Sequence, residues 1–121
     1  MTENSPATGA LPSPRDLAEV PAVEVIATLS VHLMTAAAVQ LGLGEPDEHG
    51  HVHPADLDEA RKLITALAGL VTASAPEVGS QHAAPLRDGL RTLQLAFREA
   101  SVVQDEPGSA PGEKLTGPVL L

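Results

Sequence analysis

Residues 22–43 are apolar almost all the way round when wound as a helix. Glu24, Thr28, His32 and Thr35 make one narrow polar stripe, and Val, Ile, Leu, Met and Ala fill the other flanks. A helix hydrophobic round most of its circumference is buried in a bundle centre, an oligomer seam or a membrane. Length disfavours the membrane: the stretch without formal charge, Val25 to Val39, is shorter than the roughly 20 residues a span needs. Glu24 and Gln40 frame it, and no Trp, Tyr, Lys or Arg anchors either end. No transmembrane segment is expected, and this helix is expected to be the central element of the fold.

What would cover it is limited. The chain has 121 residues, enough for one domain, with one Phe, no Trp and no Tyr. Ala raises helix propensity but adds little apolar area, and domains of this size are marginal alone. A second copy is the expected cover, giving a symmetric homodimer with this helix at the seam. Either Ile26, Leu29, Leu33 and Ala37 or the flank Val23, Met34 and Leu41 then faces the other subunit.

Helical punctuation recurs along the chain. Residues 1–12 carry almost no periodic pattern and are expected to form a disordered arm. Ser13, Pro14 and Asp16 mark the start of a short helix whose apolar edge is Leu17 and Val20. The long apolar helix runs from about Pro21 to Leu41, where Gly42 and Gly44 end it. A polar linker runs from Glu45 to His53. The next helix opens near Pro54 or Ala55, with Asp56, Asp58 and Glu59 at its positive end. Leu57, Ala60, Ile64, Leu67 and Val71 form its main stripe, beside Leu63, Ala66 and Leu70, and the pattern fades at Ser74-Ala75-Pro76. After Ser80 a third helix carries Leu86, Leu90, Leu93, Phe97 and Ala100 at alternating spacings of four and three, a heptad seam. Gly89 weakens that helix and suggests a close approach there. The expected fold is all-α: a small three-helix up-down-up bundle over residues 13–103, with a short extra N-terminal helix. Residues 104–121, acidic and rich in Pro and Gly, are expected to be a flexible tail.

Charge narrows the partners. The formal net charge is −9, and outside the ends twelve acids still face six bases. Phosphate binding needs a surplus of Lys and Arg, and single strands need aromatic platforms, so no nucleic acid is expected as partner. Anionic membrane surfaces are disfavoured likewise. Cys is absent, which excludes disulfides and thiolate chemistry and fits a cytoplasmic location. The N-terminus lacks the basic and apolar regions of a secretory signal.

Candidate chemistry is sparse. His49, His51 and His53 alternate in the linker after Asp47 and Glu48, so an extended chain would turn three imidazoles to one divalent metal. His82 joins only if the turn between the second and third helices folds towards them. His32 lies on the polar stripe, where a seam or surface histidine satisfied by a neighbour explains it. No nucleophile elbow or phosphate-binding glycine pattern occurs, and neither an enzyme nor a cofactor is expected. Arg87, Arg91 and Arg98 form a basic stripe beside the seam, suited to an acidic partner or to the chain's own acidic tail. The expected function is a non-enzymatic protein–protein interaction or scaffold module acting as a homo-oligomer. Its unidentified protein partner would meet the bundle or the apolar end Val119-Leu120-Leu121. The alternative is a metal-responsive module built on His49, His51 and His53.

Three segments carry a family resemblance: Val-Gln-Leu-Gly-Leu-Gly at 39–44, Asp-Leu-Asp-Glu-Ala-Arg-Lys-Leu-Ile from Asp56, and Leu-Arg-Asp-Gly-Leu-Arg-Thr-Leu from Leu86. In this order they resemble the bacterial domain-of-unknown-function family 1844, in its actinobacterial form, over residues 15–103. The tail from Gly112 is similar to that branch as well. The resemblance implies a small, helical, cytoplasmic protein with no established activity, cofactor or catalytic residue, so no functional residue carries over.

Overall fold

Gly42 stops the first long helix by taking a backbone conformation (φ 80°) that only glycine adopts without strain. Its N–H donates to the Val39 carbonyl at 3.0 Å, and the Leu43 N–H reaches back to the Ala38 carbonyl at 2.9 Å. This is the paired closure of a Schellman motif. The helix it closes, α1, spans Ala22–Gln40. The computed structural model describes residues 17–120. The helix start expected at Ser13 to Asp16 lies outside the described residues. From Leu17 to Val20 the chain makes a single turn, in which the Val20 N–H donates to the Leu17 carbonyl.

Helix α2, Leu57–Val78, starts where the sequence places an acid. The Asp56 carboxylate accepts from the Glu59 N–H at 3.2 Å as an N-cap. The Asp56 N–H donates to the Gln40 carbonyl at 2.7 Å, which ties the linker's far end to the end of α1. Pro76 does not end the helix but lies inside it. A proline costs the helix its hydrogen bond to the carbonyl four residues back, yet α2 closes normally at Gly79, whose N–H donates to the Ala75 carbonyl. Gly79 alone separates α2 from α3, Ser80–Ala100.

The core is where the three helices meet. Ile64 and Leu67 of α2 are completely buried and touch a cluster with Ala37, Leu41, Leu86, Leu90, Leu93 and Phe97. Burying a side chain of that size contributes about 2 kcal/mol. The heptad positions Leu86, Leu90, Leu93 and Phe97 all lie in the core, whereas Ala100 is exposed at the helix end.

The central element is α2, not the more apolar α1. Helix α2 packs extensively against both neighbours and buries seven residues; α1 buries two, Ser30 and Ala37. The reason is patterning: α2 concentrates Ala60, Ile64, Leu67, Ala68, Val71 and Ala75 on a buried stripe that gives its neighbours a defined face. Among the expected seam residues, Ala37 is wholly inside the protomer, Leu41 is buried, and Leu33 and Met34 pack against the core. Of the alternatives Ile26/Leu29/Leu33/Ala37 and Val23/Met34/Leu41, Ala37 and Leu41 thus have little surface left to offer a second subunit, while Leu33 and Met34 are only partly covered.

The region after α3 differs from the flexible tail expected over residues 104–121. Residues 105–119 fold back on the bundle through a one-turn helix, α4, Glu113–Thr116, which packs on α2. Ala110, Pro111, Gly112, Glu113 and Val119 are buried. Composition pointed to a solvated segment; a buried ion pair and a close glycine contact hold it down instead.

Candidate functional site

The strongest electrostatic feature joins α3 to this returning segment. Arg98 sits on the side of α3 next to its apolar stripe, and Glu113 opens α4. The Arg98 Nε donates to Glu113 Oε2 at 3.0 Å and its Nη2 to Oε1 at 2.7 Å, a two-pronged pair with side chains 6% and 0% exposed. The carboxylate also accepts from the Gly108 N–H at 2.8 Å and the Val119 N–H at 3.2 Å. Arg98 Nη1 donates to the Asp105 carbonyl at 2.9 Å, so one guanidinium organises the turn as well as the pair. Burial alone pushes the Glu113 carboxyl up, but the Arg98 hydrogen bonds and the two backbone N–H groups outweigh it and hold it below its ordinary value. The Glu113 hydrogen bond in turn raises Arg98, against its own burial.

Two further contacts seat the segment. Gln94 Nε2 donates to the Pro111 carbonyl and to Thr116 Oγ1, both at 3.1 Å. Arg61 of α2 donates to Asp105 Oδ2 at 2.9 Å while its guanidinium lies over the Phe97 ring. The basic stripe of α3 is thereby divided. Arg98 is buried and engaged by the chain's own acidic tail, so it is not open to another partner. Arg87 and Arg91 stay exposed and form no ion pair among the described residues. They border a groove of about 420 Å³ between α2, α3 and the returning segment.

The linker histidines behave differently from a metal centre. The Asp47 carboxylate accepts the His49 and His51 N–H groups, both at 2.8 Å, which makes it a turn-forming group. The His49 and His51 rings stand 6.2 Å apart and tilted. His53 and His82 are exposed. Among the described residues no three His, Cys, Asp or Glu side chains are placed to hold a metal ion together.

Helix α1 presents the remaining surface. Glu24, Thr28, His32 and Thr35 are all exposed, so the polar stripe faces solvent as its composition requires. Beside it Val25, Leu29 and Ala36 are only half-buried, and so is Ile26 at the edge of the inward face. By length and composition α1 is apolar enough to cross a membrane, and little of it is buried.

What sequence reasoning missed is Glu113. Its signal was faint: an acid after glycine in a Pro/Gly-rich tail, with its partner in the preceding helix. Residues 22–99 match a family model described as Domain of unknown function (DUF1844), which spans α1 to near the end of α3 and stops short of Glu113. No curated protein and no solved structure matches the chain.

Proposed function

The chain belongs to this family of unknown function, DUF1844, and from that premise we propose that it is a non-enzymatic scaffold module whose copies associate through α1. The observation that carries this is the mismatch between composition and burial: the most apolar helix of the chain buries only Ser30 and Ala37. Val25, Leu29 and Ala36 share one flank at helical spacing, with Ile26 adjoining, and this flank runs beside the core-facing side. A two-fold pairing of such flanks removes apolar area from both copies at once and closes on itself. This reading keeps Ile26 and Leu29 of the seam expected on sequence grounds and adds Val25 and Ala36, while Ala37 lies inside the protomer.

The same proposal places the protein in the cytoplasm, with the three helices in up-down-up order. Supporting this over a membrane span, α1 has one side in the bundle core, where Ala37 and Leu41 meet the cluster around Ile64 and Leu67. A span would have to give up that packing. The similarity of the tail to the actinobacterial branch fits the same reading.

Size-exclusion chromatography with light scattering tests it. The intact chain is expected to run as a dimer at micromolar concentration. Leu29→Glu is expected to make it monomeric, with helical content retained by circular dichroism, whereas Thr28→Glu on the solvent stripe leaves the dimer intact. A monomeric wild-type chain overturns the proposal.

A further inference from the structure

The exposed pair Arg87 and Arg91 stands out in a chain of net charge −9. Of the six Lys and Arg residues among those described, Arg61, Lys62 and Arg98 each have a carboxylate partner. Arg87, Arg91 and Lys114 have none among the described residues, and the two arginines border the same groove. No acidic side chain lines that groove. Val71, Leu90 and Val119 give its lining an aliphatic part, and Thr72, Gln94 and Thr116 a polar one. On α3 the two arginines lie on the flank away from Gly89, the position that meets Met34 of α1. The groove is therefore distinct from the α1 surface.

We propose that this groove binds an extended acidic peptide of a protein partner, with carboxylates on alternate residues seated on Arg87 and Arg91. Spacing supports the match. Residues four apart on a helix are separated by about 6 Å along its axis, and alternate residues of an extended chain by about 6.6–6.8 Å. A Glu-x-Glu segment lying along α3 thus meets both guanidinium groups in register. Guanidinium groups form two-pronged hydrogen bonds to carboxylates, which Lys does not. The aliphatic part suits Val or Leu side chains flanking the acids, and the volume falls within the range of about 300–1,000 Å³ typical of ligand clefts. The returning segment supplies one wall through Leu115, Pro118 and Val119, so the groove exists only while Glu113 holds that segment in place.

Fluorescence anisotropy on the full chain, with a short fluorescein-labelled peptide alternating Glu and Val, tests the proposal at low ionic strength. The peptide is expected to bind and to weaken with added salt. The doubly substituted Arg87→Ala/Arg91→Ala protein is expected to lose about tenfold in affinity, the scale of two exposed ion pairs taken together. The same peptide with Gln for Glu is expected not to bind. Both arginines are exposed, so circular dichroism should report an unchanged fold. Equal binding by the double variant, equal binding of the Gln peptide, or no binding of the Glu peptide to the wild-type chain each overturns the proposal. The dimer on α1 is read separately by light scattering, so the failure of one idea is not mistaken for the failure of the other.

Discussion

Arg98 and Glu113, fifteen residues apart, meet in a two-pronged ion pair from which water is almost wholly excluded. Two buried charges are costly to bring together but far more costly to separate by deleting one partner. Glu113→Ala leaves the guanidinium buried without its counter-charge and orphans the Gly108 and Val119 N–H groups. The returning segment is expected to lose about 3 kcal/mol of docking stability. Hydrogen exchange mass spectrometry checks this: protection over residues 105–119 should collapse in the variant while amides of α2 stay protected. Unchanged protection would show that the pair does not hold the segment.

The same pair sets a pH dependence. Glu113 titrates lower in the folded chain than when unfolded, where its ordinary value is 4.5. Its contribution is therefore present in full above that ordinary value and is lost as pH falls through the lower, folded value, because the undocked form takes up the proton first. Proteolysis of the tail is expected to stay slow from neutral pH down to about 4.5 and to quicken in stronger acid. The chain carries many other carboxylates, so the measurement is the difference from Glu113→Gln, in which this step should vanish. A variant with the wild-type profile would assign the acid sensitivity elsewhere.

Gly112 seats the segment by shape. Its φ is 79°, and a Cβ there would fall 2.8 Å from the Ala68 Cβ of α2. Gly112→Ala is thus strained in its backbone and crowded against a side chain with no freedom to move aside. The expected cost is about 1–3 kcal/mol. Adding Ala68→Gly relieves the crowding but not the backbone strain, so the double variant should recover part of the loss. Chemical denaturation of the four proteins closes the cycle. Full recovery would remove the backbone from the explanation, and no recovery would remove the Ala68 contact.

Much of the bundle is written in local spacing. Leu86, Leu90, Leu93 and Phe97 recur at helical intervals and all reach the core, as do Ala60, Ile64, Leu67 and Val71. Asp56 and Gly42 mark a start and a stop by chemistry that acts within a few residues. Centrality was not legible, because apolarity along α1 says what a helix can bury and not which neighbours come close. Helix α2 is the centre because its stripe from Ala60 to Ala75 is met by both neighbours, a property of facing helices jointly. The candidate groove was half legible: Arg87, Arg91 and Arg98 read as one basic stripe, but only the fold shows that Arg98 turns inward. Its partner Glu113 lies beyond any helical period, in a segment whose Pro and Gly content resembles a solvated linker.

Met34 and Gly89 decide between two opposed effects of one methyl group. A Cβ at Gly89 would lie 2.6 Å from Met34 Cε and 2.7 Å from its Sδ. Ala in place of Gly favours a helix interior by about 1 kcal/mol. The obstacle, however, is the far end of a flexible side chain, and moving it to a less favoured rotamer costs about 0.5–1.5 kcal/mol. The two nearly cancel, so Gly89→Ala is expected to leave urea stability within about 0.5 kcal/mol of wild type. In a Met34→Ala background the obstacle is gone, and the same substitution should stabilise by about 1 kcal/mol. Gly89→Val adds bulk that Met34 cannot clear and is expected to destabilise by about 1–3 kcal/mol. If Gly89→Ala gives the full gain with Met34 present, the close approach of α1 to α3 does not constrain this position, and the glycine has no packing reason to be there.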